Sequence, residues 1–157
     1  MILKKWENIP DNIKNEKTKD YYDILNSKKI TLFLKRLFDI IFSTILLIVL
    51  SPILIILAIA IKIDSKGPIF YRQERITAYG KKFKIHKFRT MVSDADKIGT
   101  AVTVGGDARI TKVGAKIRNL RIDEIPQLLD VLSGNMSFVG TRPEAVKYVE
   151  KYKPEYM

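Results

Sequence analysis

Residues 40–61 read IIFSTILLIVLSPILIILAIAI, a run of 22 residues without one charged side chain. A helix rises about 1.5 Å per residue, so this run would cover about 33 Å, which is enough to cross the hydrocarbon core of a bilayer. No small-residue cleavage site follows the run, so it is not typical of a secretory signal peptide. The 96 residues after it are too few to bury such a helix on all sides. The run therefore predicts a membrane helix.

Basic residues flank this run on both sides, and a Ser51-Pro52 pair lies at its midpoint. Because basic residues mark the cytoplasmic side of a membrane segment, these flanks favour a helix whose two ends stay on that side. Proline removes one helical hydrogen bond, so Ser51 and Pro52 are the predicted bend of a re-entrant membrane helix hairpin over residues 35–63. The alternative is a kinked helix that crosses the membrane once. The basic residues are Lys28, Lys29, Lys35 and Arg36 before the run, and Lys62, Lys66, Arg72 and Arg75 after it.

The remaining chain divides around this helix into two parts. Residues 1–34 combine lysines with a few aromatic and aliphatic side chains, a mixture that suits either short interfacial turns or a loosely ordered leader. We expect the loosely ordered leader. Residues 64–157 are long enough for one small domain, which we expect on the cytoplasmic face as the catalytic part of the chain.

The pattern of this domain predicts an α+β fold, mostly helical, with a short β-hairpin. Two strands are expected over residues 69–76 and 82–91, joined by a turn at residues 77–80. Helical spacing follows over residues 113–121 and 123–132, with Gly134 placed to end the second helix. Thr141-Arg142-Pro143-Glu144 matches a capping box, which predicts a last helix through Tyr152.

The composition limits the chemistry of the chain. It has 157 residues with 28 Lys+Arg against 17 Asp+Glu, a formal net charge of +11, no cysteine and one histidine. The lack of cysteine excludes a disulfide scaffold, a thiolate zinc site and a cysteine nucleophile, and one histidine excludes a multi-histidine metal site. His86 lies inside a predicted strand, and we interpret it as structural.

Asp123 and Glu124 stand at the start of a predicted helix. One interpretation is structural, because aspartate is a favoured N-cap and glutamate in the first turn complements the helix dipole. The other interpretation is catalytic: a carboxylate can act as a nucleophile, with or without a hard cation such as Mg²⁺ held by carboxylate oxygens.

A set of arginines suits a phosphorylated substrate, because guanidinium groups bind phosphate oxygens in a bidentate fork. The alternative is a solvated basic face or one that binds anionic lipid head groups. Basic and aromatic residues also interleave in residues 70–75 and 81–91, a pattern found in nucleic-acid binding. A basic surface beside a membrane helix already has a membrane role, so we expect no nucleic-acid partner. The arginines are Arg89, Arg109, Arg118, Arg121 and Arg142.

Seven motifs in order give the chain a close resemblance to the bacterial sugar transferases, the monotopic phosphoglycosyl transferases. The resemblance covers residues 35–144. The motifs are KRLFD (35–39), the apolar run broken by Ser51-Pro52, GPIFYRQER (67–75), KFRTM (87–91), DARITKVG (107–114), IDEIPQLLDVLSGNMSFVG (122–140) and Arg142-Pro143.

This resemblance implies transfer of a sugar-1-phosphate from a UDP-sugar to polyprenol phosphate (undecaprenyl phosphate) with release of UMP. It implies that Asp123 is the nucleophile of a covalent phosphosugar intermediate and also a ligand of Mg²⁺, and that Glu124 supports it. It favours the catalytic interpretation of both carboxylates over the N-cap. The family pattern also marks phosphate-binding candidates at Lys87, Arg89, Arg118 and Arg142.

The same resemblance implies an enzyme of the inner cell membrane that begins exopolysaccharide, capsule, O-antigen or glycoprotein glycan assembly. Its expected partners are the UDP-sugar, the polyprenol phosphate, membrane lipids and, as an open alternative, a second copy of the chain as a homodimer. Two departures stand out. Thr141 replaces a proline of the family pattern, and we expect a minimal, C-terminally truncated form, without the four-helix membrane domain of longer members or the usual segment after Met157.

Overall fold

A computed structural model describes residues 3–98, 107–149 and 151, and these form an α+β arrangement in which a long apolar helix carries a small three-stranded sheet and several short helices. The helices are α1 (Glu16–Ser27), α2 (Lys29–Asp64), α3 (Ala95–Ile98), α4 (Lys112–Asn119), α5 (Leu128–Leu132) and α6 (Val146–Val149), with 3-10 turns at Trp6–Asn8, Asp11–Ile13, Ala78–Gly80 and Ile122–Gln127. The strands are β1 (Phe70–Ile76), β2 (Lys82–Phe88) and β3 (Glu144–Ala145).

The segment before α2 is more ordered than we expected. Asn15 caps α1, because its side chain accepts a hydrogen bond from the backbone N–H of Thr18 at 2.8 Å. The rings of Trp6 and Tyr22 lie 5.2 Å apart, and the Lys19 ammonium lies over both rings. The prediction of a loosely ordered leader is wrong here, because an N-cap and an aromatic contact stabilise a local helix that composition alone does not reveal.

Helix α2 runs without interruption for 36 residues and starts six residues before the predicted segment. By length and composition it can cross a membrane, and most of its apolar side chains are exposed. Pro52 has no N–H to donate to the carbonyl of Ile48. The hydroxyl of Ser51 donates to that carbonyl at 2.7 Å, so the Ser-Pro pair replaces the hydrogen bond that the proline removes.

Both halves of α2 contact the same domain. In the first half, the Arg36 guanidinium donates to the carbonyls of Val131 and Leu132 at 2.6 and 2.7 Å, so it caps the C-terminal end of α5. In the second half, Ile61 packs with Phe88 and Ile117 in the hydrophobic core. The domain therefore holds α2 on both sides of Pro52.

The predicted hairpin is confirmed, and a third strand joins it. Strands β1 and β2 pair antiparallel from Phe70 opposite Phe88 to Ile76 opposite Lys82. Strand β3 pairs with the other edge of β1, with Ala145 opposite Arg75. The predicted capping box at residues 141–144 is wrong, because Glu144 and Ala145 use their backbone in the sheet, so the helix starts only at Val146. Tyr152 lies outside the described residues.

The predicted helix over residues 123–132 is divided in two. A 3-10 helix covers Ile122–Gln127, and α5 follows it. Pro126 lies inside the first part and cannot donate the hydrogen bond that an α-helix needs there, which accounts for the tighter first segment. Gly134 ends α5 with φ of 81°, as predicted.

Candidate active site

The Asp123-Glu124 pair lies in the 3-10 helix that packs against β2. The residue that precedes this helix is Arg121, which adopts a left-handed conformation with φ of 59°, and no side chain caps the helix. The N-cap interpretation of Asp123 is therefore wrong. Asp123 is 1% exposed, whereas a fifth of the Glu124 side chain is exposed.

Lys87 joins the two carboxylates. Its ammonium lies 2.9 Å from Oδ2 of Asp123 and 3.2 Å from Oε1 of Glu124. No hydrogen bond from the described residues reaches either Oδ atom of Asp123, so its contact with Lys87 is an ion pair. A buried carboxylate costs free energy unless it is paired, and Lys87 supplies the pairing charge.

Glu124 also binds Arg142. One Nη atom of Arg142 donates to both Glu124 oxygens, at 2.9 and 3.0 Å. Burial raises the pKa of Glu124, but the hydrogen bond from Arg142 and the charge of Lys87 outweigh it, so its pKa lies below the usual value. Glu124 is therefore a carboxylate at neutral pH. Arg121 approaches the same carboxylate at 3.9 Å, but its side chain is 80% exposed and contributes little.

All four predicted phosphate-binding residues line one cavity of about 460 Å³. These are Lys87, Arg89, Arg118 and Arg142, and Arg75 and Gln127 join them. Lys87 and Arg142 link the cavity directly to the Asp123-Glu124 pair, since both contact Glu124. The arrangement suits an anion such as a diphosphate, because several cations converge on one space.

Arg89 has a further role that the sequence did not indicate. Its guanidinium is buried and donates to the backbone carbonyls of Ser65 and Lys66 at 2.7 and 2.9 Å, and to the hydroxyl of Ser65 at 2.9 Å. It therefore holds the C-terminal end of α2. Arg109 also has local partners, since it donates to Asp107 at 2.6 Å and helps to hold the pKa of that carboxyl at about 2.

Sequence reasoning missed Arg75 and Gln73 as residues of the cavity. Both lie on the same face of β1 as Tyr71, because side chains alternate along a strand. Lys87 stands opposite Tyr71 in the register and therefore shares that face. Because side chains alternate between the two faces of a strand, the sequence could have identified this face once Lys87 was recognised as a phosphate-binding candidate.

His86 is structural, as interpreted. Its backbone N–H and its Nδ1 each lie 2.8 Å from an oxygen of Asp130, which is 1% exposed. Asp130 thus joins α5 to β2 and positions the 3-10 helix between them. Sequence reasoning treated Asp130 only as part of a helix and missed this contact.

The site offers Mg²⁺ a carboxylate ligand at Asp123 but no complete set of protein ligands among the described residues. Neither oxygen of Asp123 accepts a hydrogen bond from the described residues, and the Lys87 ammonium lies 2.9 Å from Oδ2, so Oδ1 is the oxygen more open to a hard cation. Across the described ranges there is no group of three Asp, Glu, His or Cys residues that could hold a metal alone. Mg²⁺ often binds through one or two carboxylates and completes its coordination shell with substrate phosphates and water. The carboxylate of Asp123 is therefore a suitable protein ligand for Mg²⁺ when the substrate phosphates supply the others.

Comparison with known proteins identifies the family of the chain. Residues 30–157 match the family model of bacterial sugar transferases. The chain is 46% identical over 121 residues to the UDP-glucose:undecaprenyl-phosphate glucose-1-phosphate transferase of Escherichia coli K12, a match that covers 76% of this chain and 26% of that protein. It is 40% identical over 123 residues to the UDP-N-acetylgalactosamine-undecaprenyl-phosphate N-acetylgalactosaminephosphotransferase of Aeromonas hydrophila, which covers 78% of this chain and 29% of that protein.

A third relative has a broader name. The chain is 46% identical over 132 residues to the exopolysaccharide production protein PSS of Rhizobium leguminosarum bv. phaseoli, a match that covers 80% of this chain and 66% of that protein. The chain therefore spans about a quarter of the length of the Escherichia coli and Aeromonas relatives and a larger share of the Rhizobium one. In all three matches most of the present chain is included.

Proposed function

Because the chain belongs to the bacterial sugar transferase family, we propose that it transfers a sugar-1-phosphate from a UDP-sugar to polyprenol phosphate and releases UMP. The observation that carries the proposal is the Asp123-Glu124 pair, held by Lys87 beside a cavity lined by arginines and a lysine. The names of the relatives support a sugar donor and an undecaprenyl phosphate acceptor. The product would start the assembly of an exopolysaccharide or another surface glycan.

The first step in this proposal is attack by a carboxylate oxygen of Asp123 on the phosphorus that bears the sugar. The bond from that phosphorus to the bridging oxygen breaks, UMP leaves with the oxygen, and the sugar phosphate is bound to Asp123 as an acyl phosphate. Both reactants are anions, so Lys87 and Arg142 reduce their repulsion and stabilise the charge on the departing UMP. At rest the Lys87 ammonium lies 2.9 Å from Oδ2, so attack through Oδ2 requires Lys87 to move away from it.

In the second step, an oxygen of the polyprenol phosphate attacks the same phosphorus and the Asp123 carboxylate is released. Glu124 lies next to the nucleophile and holds Arg142, so it places a cation where the acceptor phosphate must enter. Asp123 would hold Mg²⁺, which supplies further neutralisation of the diphosphate charge when it is bound.

The activity is tested by UMP release from a panel of UDP-sugars, in the presence and absence of undecaprenyl phosphate. We expect sustained UMP release with one donor only when the acceptor is present, and a single turnover without it. A chain that releases no UMP from any donor would contradict the proposed function.

We also propose that α2 is re-entrant and that the domain lies on the cytoplasmic face. The support is the pair of contacts on opposite sides of Pro52: Arg36 binds the carbonyls of α5, and Arg89 binds the last turn of α2. One small domain cannot hold both ends of a helix if a bilayer core of about 30 Å separates them. The basic flanks of the helix agree with this topology.

Single cysteines at Ser27 and Lys84, both exposed, test this topology in a chain that has no other thiol. In intact cells we expect an impermeant maleimide to label neither position, and after permeabilisation we expect it to label both. The two positions lie on opposite sides of α2 in the sequence, so a helix that crosses the membrane would expose one of them outside. Labelling of one site alone in intact cells would overturn the re-entrant topology.

The Pro52→Leu variant of the same cysteine chains tests the bend. Proline costs about 3 kcal/mol in a helix interior, so its removal favours a straight helix by an amount of that order. We expect part of the population to cross the membrane and to show labelling of one site. The matched control is Pro68→Leu, which changes a proline outside α2 and should leave the labelling unchanged.

The Arg142→Gln variant should shift the acid side of the pH–rate profile to higher pH. Burial raises the pKa of Glu124, whereas Arg142 and Lys87 lower it. Without the Arg142 hydrogen bond mainly Lys87 opposes the effect of burial, so the pKa of Glu124 rises. In the parent chain this pKa is lowered, so the stability that Glu124 contributes is present above its unfolded value and is lost as the pH falls through the folded value. Turnover normalised to its maximum checks the shift, and it is measured from about pH 3 to 8 because the lowered pKa of Glu124 places the acid limb of the parent below its usual value.

Arg121→Gln is the control for this profile, because Arg121 faces the same carboxylate from an exposed position. We expect its normalised profile to match that of the parent chain. An Arg142→Gln profile that also matches the parent would show that Glu124 ionisation does not limit the rate.

A further inference from the structure

A second cavity of about 710 Å³ lies on the other side of Arg142 from the cationic cavity. Arg142 lines both, so the two spaces meet at the residue that binds Glu124. The second cavity is walled by Leu3, the 3-10 turn at Asp11–Ile13, the first turns of α2, the β1–β2 turn and the segment 135–144. Its apolar side chains include Ile13, Leu25, Leu32, Ile76, Met136 and Val139.

The charged side chains that line this cavity are Lys35, Arg36, Asp39, Arg142 and Glu144, and Arg142 is the one that binds Glu124. Arg142 is 56% exposed although it binds Glu124, so part of its guanidinium faces the open space. Lys35 also lines the cavity and contacts Ser137 and Asp39. An apolar space with an arginine beside the reacting carboxylates suits an amphipathic anion: a long hydrocarbon chain that ends in a phosphate.

The cavity also adjoins the membrane helix. Leu32 and Lys35 belong to the first turns of α2, and their neighbours Phe33 and Leu34 are exposed. A lipid that leaves the bilayer along α2 would therefore meet apolar side chains, and the charged Lys35, Arg36 and Asp39 of the same turns, before it reaches Arg142. The second cavity thus differs from the first in its contact with the membrane helix. The first cavity lies against β1 and β2 and is lined by more cations.

One wall of the cavity lies outside the region that matches the family. The family match starts at residue 30, whereas Leu3, Asn12 and Ile13 line the cavity. This wall is held in place by Tyr79: its hydroxyl accepts a hydrogen bond from the Lys4 backbone N–H at 3.2 Å, and the Lys4 ammonium lies 5.0 Å from the ring centre.

Tyr79 makes this contact from a costly conformation. Its φ is 61°, in the left-handed region that a bulky residue adopts rarely and at a cost of about 1–3 kcal/mol. A glycine would adopt that conformation freely. The sequence thus retains an aromatic ring at a position where the backbone favours glycine, and that ring fixes the segment before α1.

We propose that this cavity binds the acceptor, with the phosphate at Arg142 and the first isoprene units against Ile13 and Leu32, and that residues 3–13 determine which lipid phosphates are accepted. The proposal rests on the proposed function for the identity of the lipid. The chemistry that the cavity recognises is a branched hydrocarbon chain joined to a terminal phosphate.

Photocrosslinking tests the site without turnover. The probe is a polyprenyl phosphate with a diazirine in its first isoprene units, added to the full chain in nanodiscs. We expect crosslinks on the peptides that contain Ile13 and Met136–Val139, and competition by undecaprenyl phosphate but not by phosphatidylglycerol or by the unphosphorylated polyprenol. Crosslinks elsewhere, or equal competition by phosphatidylglycerol, would overturn the proposal, since the latter would show a general lipid surface.

Kinetics of two variants provide a second test. Ile13→Asp places a charge in the apolar wall, and Tyr79→Gly removes the ring while relieving the left-handed backbone, so the second variant should fold. For each we expect the KM for undecaprenyl phosphate to rise about tenfold or more, since loss of one buried apolar contact is worth at least that factor. The single-turnover release of UMP without acceptor should stay unchanged.

Ile98→Asp is the control, because Ile98 is an exposed isoleucine that lines neither cavity. An unchanged acceptor KM in both wall variants would overturn the role of residues 3–13. If the parent chain releases no UMP with any donor, the proposed function fails, whereas the crosslinking result still decides whether the cavity binds a lipid phosphate.

Discussion

Replacing Asp123 by asparagine is expected to abolish the covalent phosphosugar adduct and to lower turnover by about 10⁴-fold or more, as removal of a nucleophile does in other enzymes. The amide keeps the shape of the carboxylate but has no anionic oxygen to attack phosphorus. Mass spectrometry of the intact protein after mixing with UDP-sugar and Mg²⁺ measures the adduct, and UMP release measures turnover.

Two comparisons make this result specific. Asp123 pairs with Lys87 in a buried position, so the variant must first show an unchanged unfolding temperature within a few degrees. Glu124→Gln provides the contrast: its turnover should fall, but because the proposed role of Glu124 lies in the acceptor step, some adduct should still form. A trapped adduct or near-normal turnover in a folded Asp123→Asn protein would assign the nucleophile to another group.

The Arg89→Lys variant should lose about 3 kcal/mol of stability, even though it keeps the charge. The Arg89 guanidinium binds several acceptors at the end of α2, and hydrogen bonds to charged groups contribute about 1.5–3 kcal/mol each. A lysine ammonium cannot reach the same acceptors in a fixed fork. In thermal unfolding we expect the midpoint to fall by about 6–12 °C, given roughly 2–4 °C per kcal/mol for a chain of this size.

Arg72→Lys is the matched control for Arg89. Arg72 is exposed and donates to the Lys84 carbonyl at 3.1 Å, so its replacement should change the midpoint by less than about 2 °C. A stable Arg89→Lys protein with a raised KM for the UDP-sugar would show that Arg89 acts on the donor phosphates and that its contacts with α2 are dispensable.

Much of the sheet could be predicted from the sequence, because its signals are local. The alternation in residues 70–76 and 82–88 and the turn at Gly80 identify the hairpin. Strand β3 could not be predicted in the same way. Ala145 pairs with Arg75, seventy residues earlier, and the local Thr141–Glu144 pattern is that of a helix cap, so a distant backbone edge overrides a local preference.

The candidate site shows the same division between local and distant causes. The Asp123-Glu124 pair and the cations Lys87 and Arg142 are visible in the motifs, and the structure brings them together. The structural role of Arg89 was not visible, because its partners are backbone carbonyls at the end of α2. Every residue has a backbone carbonyl, so the sequence does not show which carbonyls bind an arginine. Only the packing of α2 against β2 reveals that Arg89 binds these.

The contacts of the first half of α2 have a consequence for how the protein is made. Lys35, Arg36 and Asp39 bind residues 131–138, which follow them by about a hundred residues. At a synthesis rate of about 5–20 residues per second, the ribosome needs about 5–20 s to reach those partners. During that interval Asp39 lacks the N–H of Phe138, which pairs with it in the finished protein. The contacts that hold the first half of this helix therefore form only after residues 131–138 have been synthesised, about a hundred residues after the helix itself.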